Sequence, residues 1–131
     1  MLIKTPICDF RQTAKSFELK STNNEMVTLN SIKGESGTLI MFICNHCPYV
    51  KAVINDIVED CINLRELGIK TVAICSNDTI NYPDDSFDNM ISFSKNHNFT
   101  FPYLIDETQK VAKNYNAVCT PDFFGYNKNL E

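Results

Sequence analysis

Basic clusters are missing from this 131-residue chain. Its 12 Lys and Arg are scattered among 16 Asp and Glu, and the formal net charge is −4. That balance argues against a general nucleic-acid binder. Long apolar runs are missing too. None approaches the roughly 18 residues that a membrane span needs, so no membrane partner is expected. The opening stretch, Met1-Leu2-Ile3-Lys4-Thr5-Pro6, lacks the apolar segment of a signal peptide, and the expected location is the cytoplasm. There is no internal repeat and no low-complexity linker, so residues 1–131 read as one domain, long enough to bury a core. Arginine is scarce, with only Arg11 and Arg65, and only one Cys-x-x-Cys pair occurs.

What is plentiful is apolar residues, at 44%, with 21% charged, the balance of an ordinary globular chain. Cysteine is also frequent: Cys8, Cys44, Cys47, Cys61, Cys75 and Cys119. An even number permits a disulfide framework. Buried free thiols are the better reading here, because Cys75 ends an apolar strand and Cys61 falls on the apolar face of a helix.

The chain is organised around Cys44-Asn45-His46-Cys47-Pro48. The run Leu39-Ile40-Met41-Phe42-Ile43 leads into it, and helical periodicity leads out over residues 49–67. Two cysteines therefore stand where a buried strand ends and a helix begins. A helix N-terminus offers unpaired N–H groups and the positive end of the helix dipole. Both favour thiolate over thiol, and the thiolate is the reactive form. In a chain of strand–helix alternation this reads as a redox motif rather than a zinc site or a structural pair.

The remaining elements follow from period and punctuation. Residues 1–16 read as a loop. Residues 16–20 and 25–29 form two strands joined at Ser21-Thr22-Asn23-Asn24. Residues 38–43 are apolar on both faces, the mark of a strand covered by helices on both sides. In the helix that follows, Val50, Val53, Ile54, Ile57, Val58, Cys61, Leu64 and Leu67 make the buried face. Pro48 suits its first turn and Gly68 ends it. Residues 69–75 are a buried strand, 76–85 a polar loop, 86–97 a helix and 101–105 a short strand. Asp106-Glu107-Thr108-Gln109 reads as a capping box for a helix reaching Tyr115. A last strand covers residues 123–126. The order β-β-β-α-β-α-β-α-β implies an α/β domain with helices on both faces of a central sheet.

Four stretches carry a resemblance. They are Ala14-Lys15-Ser16-Phe17-Glu18-Leu19, Phe42-Ile43-Cys44-Asn45-His46-Cys47-Pro48-Tyr49-Val50, Phe101-Pro102-Tyr103-Leu104-Ile105-Asp106-Glu107 and Thr120-Pro121-Asp122-Phe123-Phe124. Together they resemble thioredoxin-like proteins of the redoxin (AhpC/TSA-like) branch. The resemblance implies a central mixed sheet with an N-terminal β-hairpin, and a redox-active cysteine pair in place of any cofactor. It also implies a cis proline at Pro121, lying against the cysteines, with the Thr120 backbone ready to bond an incoming peptide. Three departures stand out. Thr38 occupies the place where thioredoxins carry a buried Asp for proton transfer. Ile43, not Trp, precedes Cys44. The family continues past the position of Glu131 with a strand and a closing helix. This chain thus reads as C-terminally truncated, with an unpartnered sheet edge, lowered stability or edge-to-edge self-association as the expectation. The oligomeric state itself is not legible.

By the same resemblance Cys44 is the more exposed, attacking thiol and Cys47 the resolving one. His46, between them, would favour the Cys44 thiolate. Cys119 is a candidate third thiol, more simply a bystander. Asp78, after a strand end, could stand in for the missing acid, though a loop cap explains it as well. His97 suits a helix C-terminus. The function expected is thiol–disulfide exchange with protein or small-molecule disulfides, served by a redox partner. A peroxiredoxin-like peroxidase is the alternative. That chemistry needs Thr or Ser three residues before the attacking Cys, and an Arg. Met41 and Cys44 stand three before the two candidates. A zinc module is disfavoured, since four ligands usually come as two pairs and His46, inside the motif, does not easily join. A non-catalytic interaction domain is the last reading.

Overall fold

A computed structural model describes residues 13–76, 83–117 and 121–131. The expectations for residues 1–12, Asp78, Cys119 and the Thr120–Pro121 bond therefore lie outside the described residues.

The two-faced apolar stretch forms β3, Gly37–Phe42, and it sits inside a six-stranded sheet. The hairpin is there as β1, Glu18–Ser21, and β2, Met26–Thr28, paired antiparallel. The helix α1, Pro48–Glu66, crosses from β3 to β4, Ile69–Cys75, which lies parallel to it. A second helix, α2, Phe87–Asn96, leads to β5, Tyr103–Ile105, parallel to β4. A short helix α3, Lys110–Asn114, precedes β6, Asp122–Asn127, antiparallel to β3. The strand order is β2-β1-β5-β4-β3-β6. This is the α/β, thioredoxin-like mixed sheet that the sequence implies, with β6 as an edge among the described strands.

Alternation along each strand sorts the core into two layers. Met41, Ala73, Cys75, Tyr103 and Ile105 face α1 and α2, where Val50, Ile54, Met90 and Phe93 meet them. Ile40, Phe42, Val72, Ile74 and Leu104 face the other way, onto Phe17, Ile32, Val111 and Tyr115. Helices thus cover both faces. On α1 the buried stripe is Val50, Ile54, Ile57, Val58 and Cys61. Val53 and Leu67, expected inside, are exposed, because they fall on the flank and at the end of that stripe. Gly68 ends the helix with φ 82°, a left-handed conformation that glycine takes without a steric penalty.

The capping box at residues 106–109 does not form. Asp106 is buried and committed elsewhere: its Oδ2 accepts from Ser76 Oγ at 2.7 Å and from the Ala112 N–H at 3.0 Å. The helix starts only at Lys110, after Gln109 has turned through φ 63°. Asp106 thus ties the end of β4 to α3, a long-range use for a side chain that local pattern assigns to a local cap. Ser86 does cap α2, its Oγ accepting from the Asn89 N–H at 3.2 Å. His97 takes the C-cap position, as expected of a helix end.

Burial, with the neighbouring Cys75 and Asp85 adding to it, holds the Tyr103 hydroxyl well above the usual tyrosine value. Burial raises Tyr115 in the same sense, reinforced by Tyr126. Both pKa values are higher folded than unfolded, so this stability is complete below about pH 10 and fades as pH climbs through the unfolded value. In an alkaline titration, at least two of the five tyrosines should ionise only as the fold is lost. Matched tyrosinate absorbance and far-UV circular dichroism curves would check it.

Candidate active site

Pro48 decides where the helix begins. It occupies the first helical position, and its ring forces the preceding residue out of the helical region. Cys47 accordingly is the N-cap of α1, extended at φ −67° and ψ 121°. Cys47 lies one step outside the first turn rather than within it, and is only half-buried. Cys44, at the end of β3, is 1% exposed and belongs to the apolar layer beneath α1. The exposures are the reverse of the expectation that Cys44 is the open thiol and Cys47 the covered one. The cause is the register of the helix start, which sets Cys47 at the mouth and leaves Cys44 with the strand.

The motif wraps around a carboxylate from the distant turn Pro83–Asp85. Asp85 is completely buried. Its Oδ1 accepts the Asn45 backbone N–H at 2.7 Å, and its Oδ2 lies 2.6 Å from His46 Nδ1. As a carboxylate can only accept, Nδ1 carries the proton in that bond. Tyr103 completes the cradle by donating its hydroxyl to Asn45 Oδ1 at 2.8 Å. The donor atoms of Cys44, His46 and Asp85 all lie within 4.8 Å of one another. His46 and Cys44 thus belong to one donor cluster with Asp85.

Asp85 is the residue that sequence reasoning missed. Read by composition, residues 83–85 are polar loop, and Asp78, after a strand end, is the candidate acid that local pattern offers. The contact spans 40 residues, and nothing local announces it. Thr38, at the place of the thioredoxin acid, is buried and accepts the Gly34 N–H at 3.1 Å, a purely structural role. Pro121 is half-buried just before β6. Since Asp122 pairs with Phe42, the register sets Pro121 beside the strand end that leads into Cys44. The Cys61 thiol is pushed up chiefly by burial. A cleft of about 250 Å³ lies at the other end of β4, lined in part by Arg65, Lys70 and Pro102, away from the motif.

Residues 10–130 match the AhpC/TSA family. The chain belongs to that family. It is similar to an uncharacterized conserved protein from Geobacillus kaustophilus, at 39% identity over 98% of this chain and 71% of that one, with a TM-score of 0.93. A hypothetical protein from Sinorhizobium meliloti 1021 shares 32% over 95% of this chain and 68% of its own, with a TM-score of 0.92. A secreted disulfide oxidoreductase from Mycobacterium tuberculosis shares the fold at 17% identity, covering 88% of this chain and 78% of that one, with a TM-score of 0.72. No curated protein matches. Membership supports the coarse functional statement, a redox protein of the thioredoxin-like class, and no finer one.

Because Asp85 has no solvent to fall back on, its loss should be costly. Asp85→Ala is expected to destabilise the chain by about 2–4 kcal/mol, leaving the Asn45 N–H and His46 without their acceptor. Tyr103→Phe removes one donor and should cost about 1 kcal/mol. Urea denaturation of the three proteins would rank them.

Proposed function

We propose that the protein catalyses thiol–disulfide exchange through Cys44 and Cys47, with Cys47 as the attacking thiol. The observation that carries this reading is the half-buried Cys47 at the N-cap of α1, with the buried Cys44 three residues before it. Accessibility decides which sulfur a client disulfide can meet, and the helix N-terminus favours its thiolate. The attack makes a mixed disulfide at Cys47 and releases one client thiolate, which takes up a proton. Cys44 then attacks the Cys47 sulfur and expels the second client thiolate. In sum, one client disulfide becomes two thiols as two cysteine thiols become one disulfide.

The buried Cys44 needs help in losing its proton, since burial in apolar surroundings favours the thiol. His46, oriented by Asp85, is the base proposed for that step. Asp85 is then a positioning residue, supplying from another part of the chain what thioredoxins obtain at the place of Thr38. Clients are protein or small-molecule disulfides. Exposed Tyr49, two residues after Cys47, offers apolar contact to a peptide. Pro121 is proposed to border the docking edge, with the Thr120 backbone bonding the client. Location in the cytoplasm is part of the same reading.

Peroxide reduction is the second reading, favoured by the same accessible Cys47. Cys44 stands where a Thr or Ser would be needed, and Arg65, the arginine among the described residues, sits near the far end of the 19-residue α1, about 25 Å along the helix. Peroxide consumption should accordingly be slow beside disulfide reduction.

Limiting iodoacetamide added to the reduced protein near neutral pH should label Cys47 first, as read by peptide mass spectrometry. Cys47→Ser should abolish insulin-disulfide reduction. Cys44→Ser should accumulate a stable mixed disulfide at Cys47. First labelling on Cys44 would reverse the roles. Asp85→Asn should leave labelling of Cys47 intact, slow release of the mixed disulfide about tenfold or more, and change that step's pH profile.

A further inference from the structure

We infer that the reduced site also binds one zinc ion, held by Cys44 Sγ, His46 and the Asp85 carboxylate. Thiolate, imidazole and carboxylate are the three ligand types that zinc takes, and three protein ligands with an open fourth position is a recurrent arrangement. Here the three donor atoms lie within 4.8 Å of one another. Around a tetrahedral zinc, neighbouring N and O ligands stand about 3.3 Å apart. The His46 Nδ1 to Asp85 Oδ2 distance is 2.6 Å. An opening of about 0.7 Å would let the ion replace the proton that these two atoms share.

The surroundings are those of a ligand set held in place. Asp85 Oδ1 is fixed by the Asn45 N–H, and Asn45 in turn by the Tyr103 hydroxyl. Such outer partners orient metal ligands and raise affinity. Met41, Ile43 and Val50 are fully buried in the layer that also holds Cys44, which limits competition from water. The His46 side chain is 29% exposed and provides the way in. A soft thiolate beside an imidazole selects zinc over magnesium or calcium.

Occupancy would depend on redox state, and this part rests on the exchange chemistry proposed above. With an oxidised small disulfide as co-reactant, the Cys44 and Cys47 sulfurs join, and the small disulfide takes two electrons and two protons to become two thiols. One proton comes from Cys47 and one from water. The zinc leaves because Cys44 no longer carries a thiolate.

The test is a zinc chloride titration of the reduced 131-residue chain against a chromogenic chelator. Cobalt substitution reports a thiolate-to-metal charge-transfer band. One equivalent should bind to the wild type. Cys44→Ser and His46→Ala should each weaken it at least about tenfold. Cys47→Ser should retain it, and the oxidised wild type should lose it. His46→Ala changes a partly exposed side chain, and its circular dichroism confirms that the fold survives. No bound zinc in the reduced wild type overturns the site. So does binding that survives His46→Ala but disappears in Cys47→Ser, which would mark a two-thiol site. Insulin-disulfide reduction by the metal-free wild type tests the exchange reading separately. Activity without zinc binding sinks only the metal site, and zinc binding without activity sinks only the exchange reading.

Discussion

A single buried carboxylate holds the cysteine turn in shape. Asp85 has no contact with water, so each of its oxygens needs a protein donor. It finds them in the Asn45 N–H and in His46, both within the Cys-x-x-Cys segment. The bond pair fastens the strand-to-helix turn onto the start of α2, where Ser86 caps the helix. Without it the loop between β3 and α1 would lose its link to the Pro83–Asp85 turn. With it, the backbone of Asn45 and the ring of His46 are set relative to Cys44. The chemistry proposed for the site depends on that arrangement more than on either cysteine alone.

The rest of the fold serves the same geometry. The parallel core of β3, β4 and β5 is apolar on both faces, and Cys44, Cys75 and Tyr103 share the layer beneath α1 and α2. Burial keeps the Tyr103 phenol in its neutral form, in which it donates to Asn45 Oδ1. The two thiols have different surroundings. Cys44, two residues past β3, is buried inside the apolar layer, and Cys47, at the N-cap position of α1, is half-buried at its edge. Their separation into a covered and an accessible sulfur follows from one residue, Pro48, which cannot lie deeper in the helix without losing a backbone bond.

The two proposals put the same cluster of donors to different uses. With a proton between His46 and Asp85, it is a base and its orienting partner. With a metal in the place of that proton, it is a ligand set. Both uses draw on the Cys44 sulfur, so they exclude each other at any moment, and oxidation of the pair ends the second.

Much was legible from residues alone. Period and apolar runs located the hairpin, the two-faced strands, α1 and α2, and the placing of Cys-x-x-Cys at a strand-to-helix junction pointed to redox chemistry. These features are local, and helix caps, proline and alternation determine them at short range. Failures came where a side chain serves a distant partner. Asp106 reads as the start of a capping box but is spent on Ser76 and the Ala112 N–H. Asp85 reads as loop but belongs to the site. The burial of Cys44 and the openness of Cys47 also depend on how the sheet and α1 meet. A sequence can state which residues are polar and which are apolar. Only the tertiary structure decides which buried polar group answers which, because that pairing is made between segments some 40 residues apart once the sheet has closed.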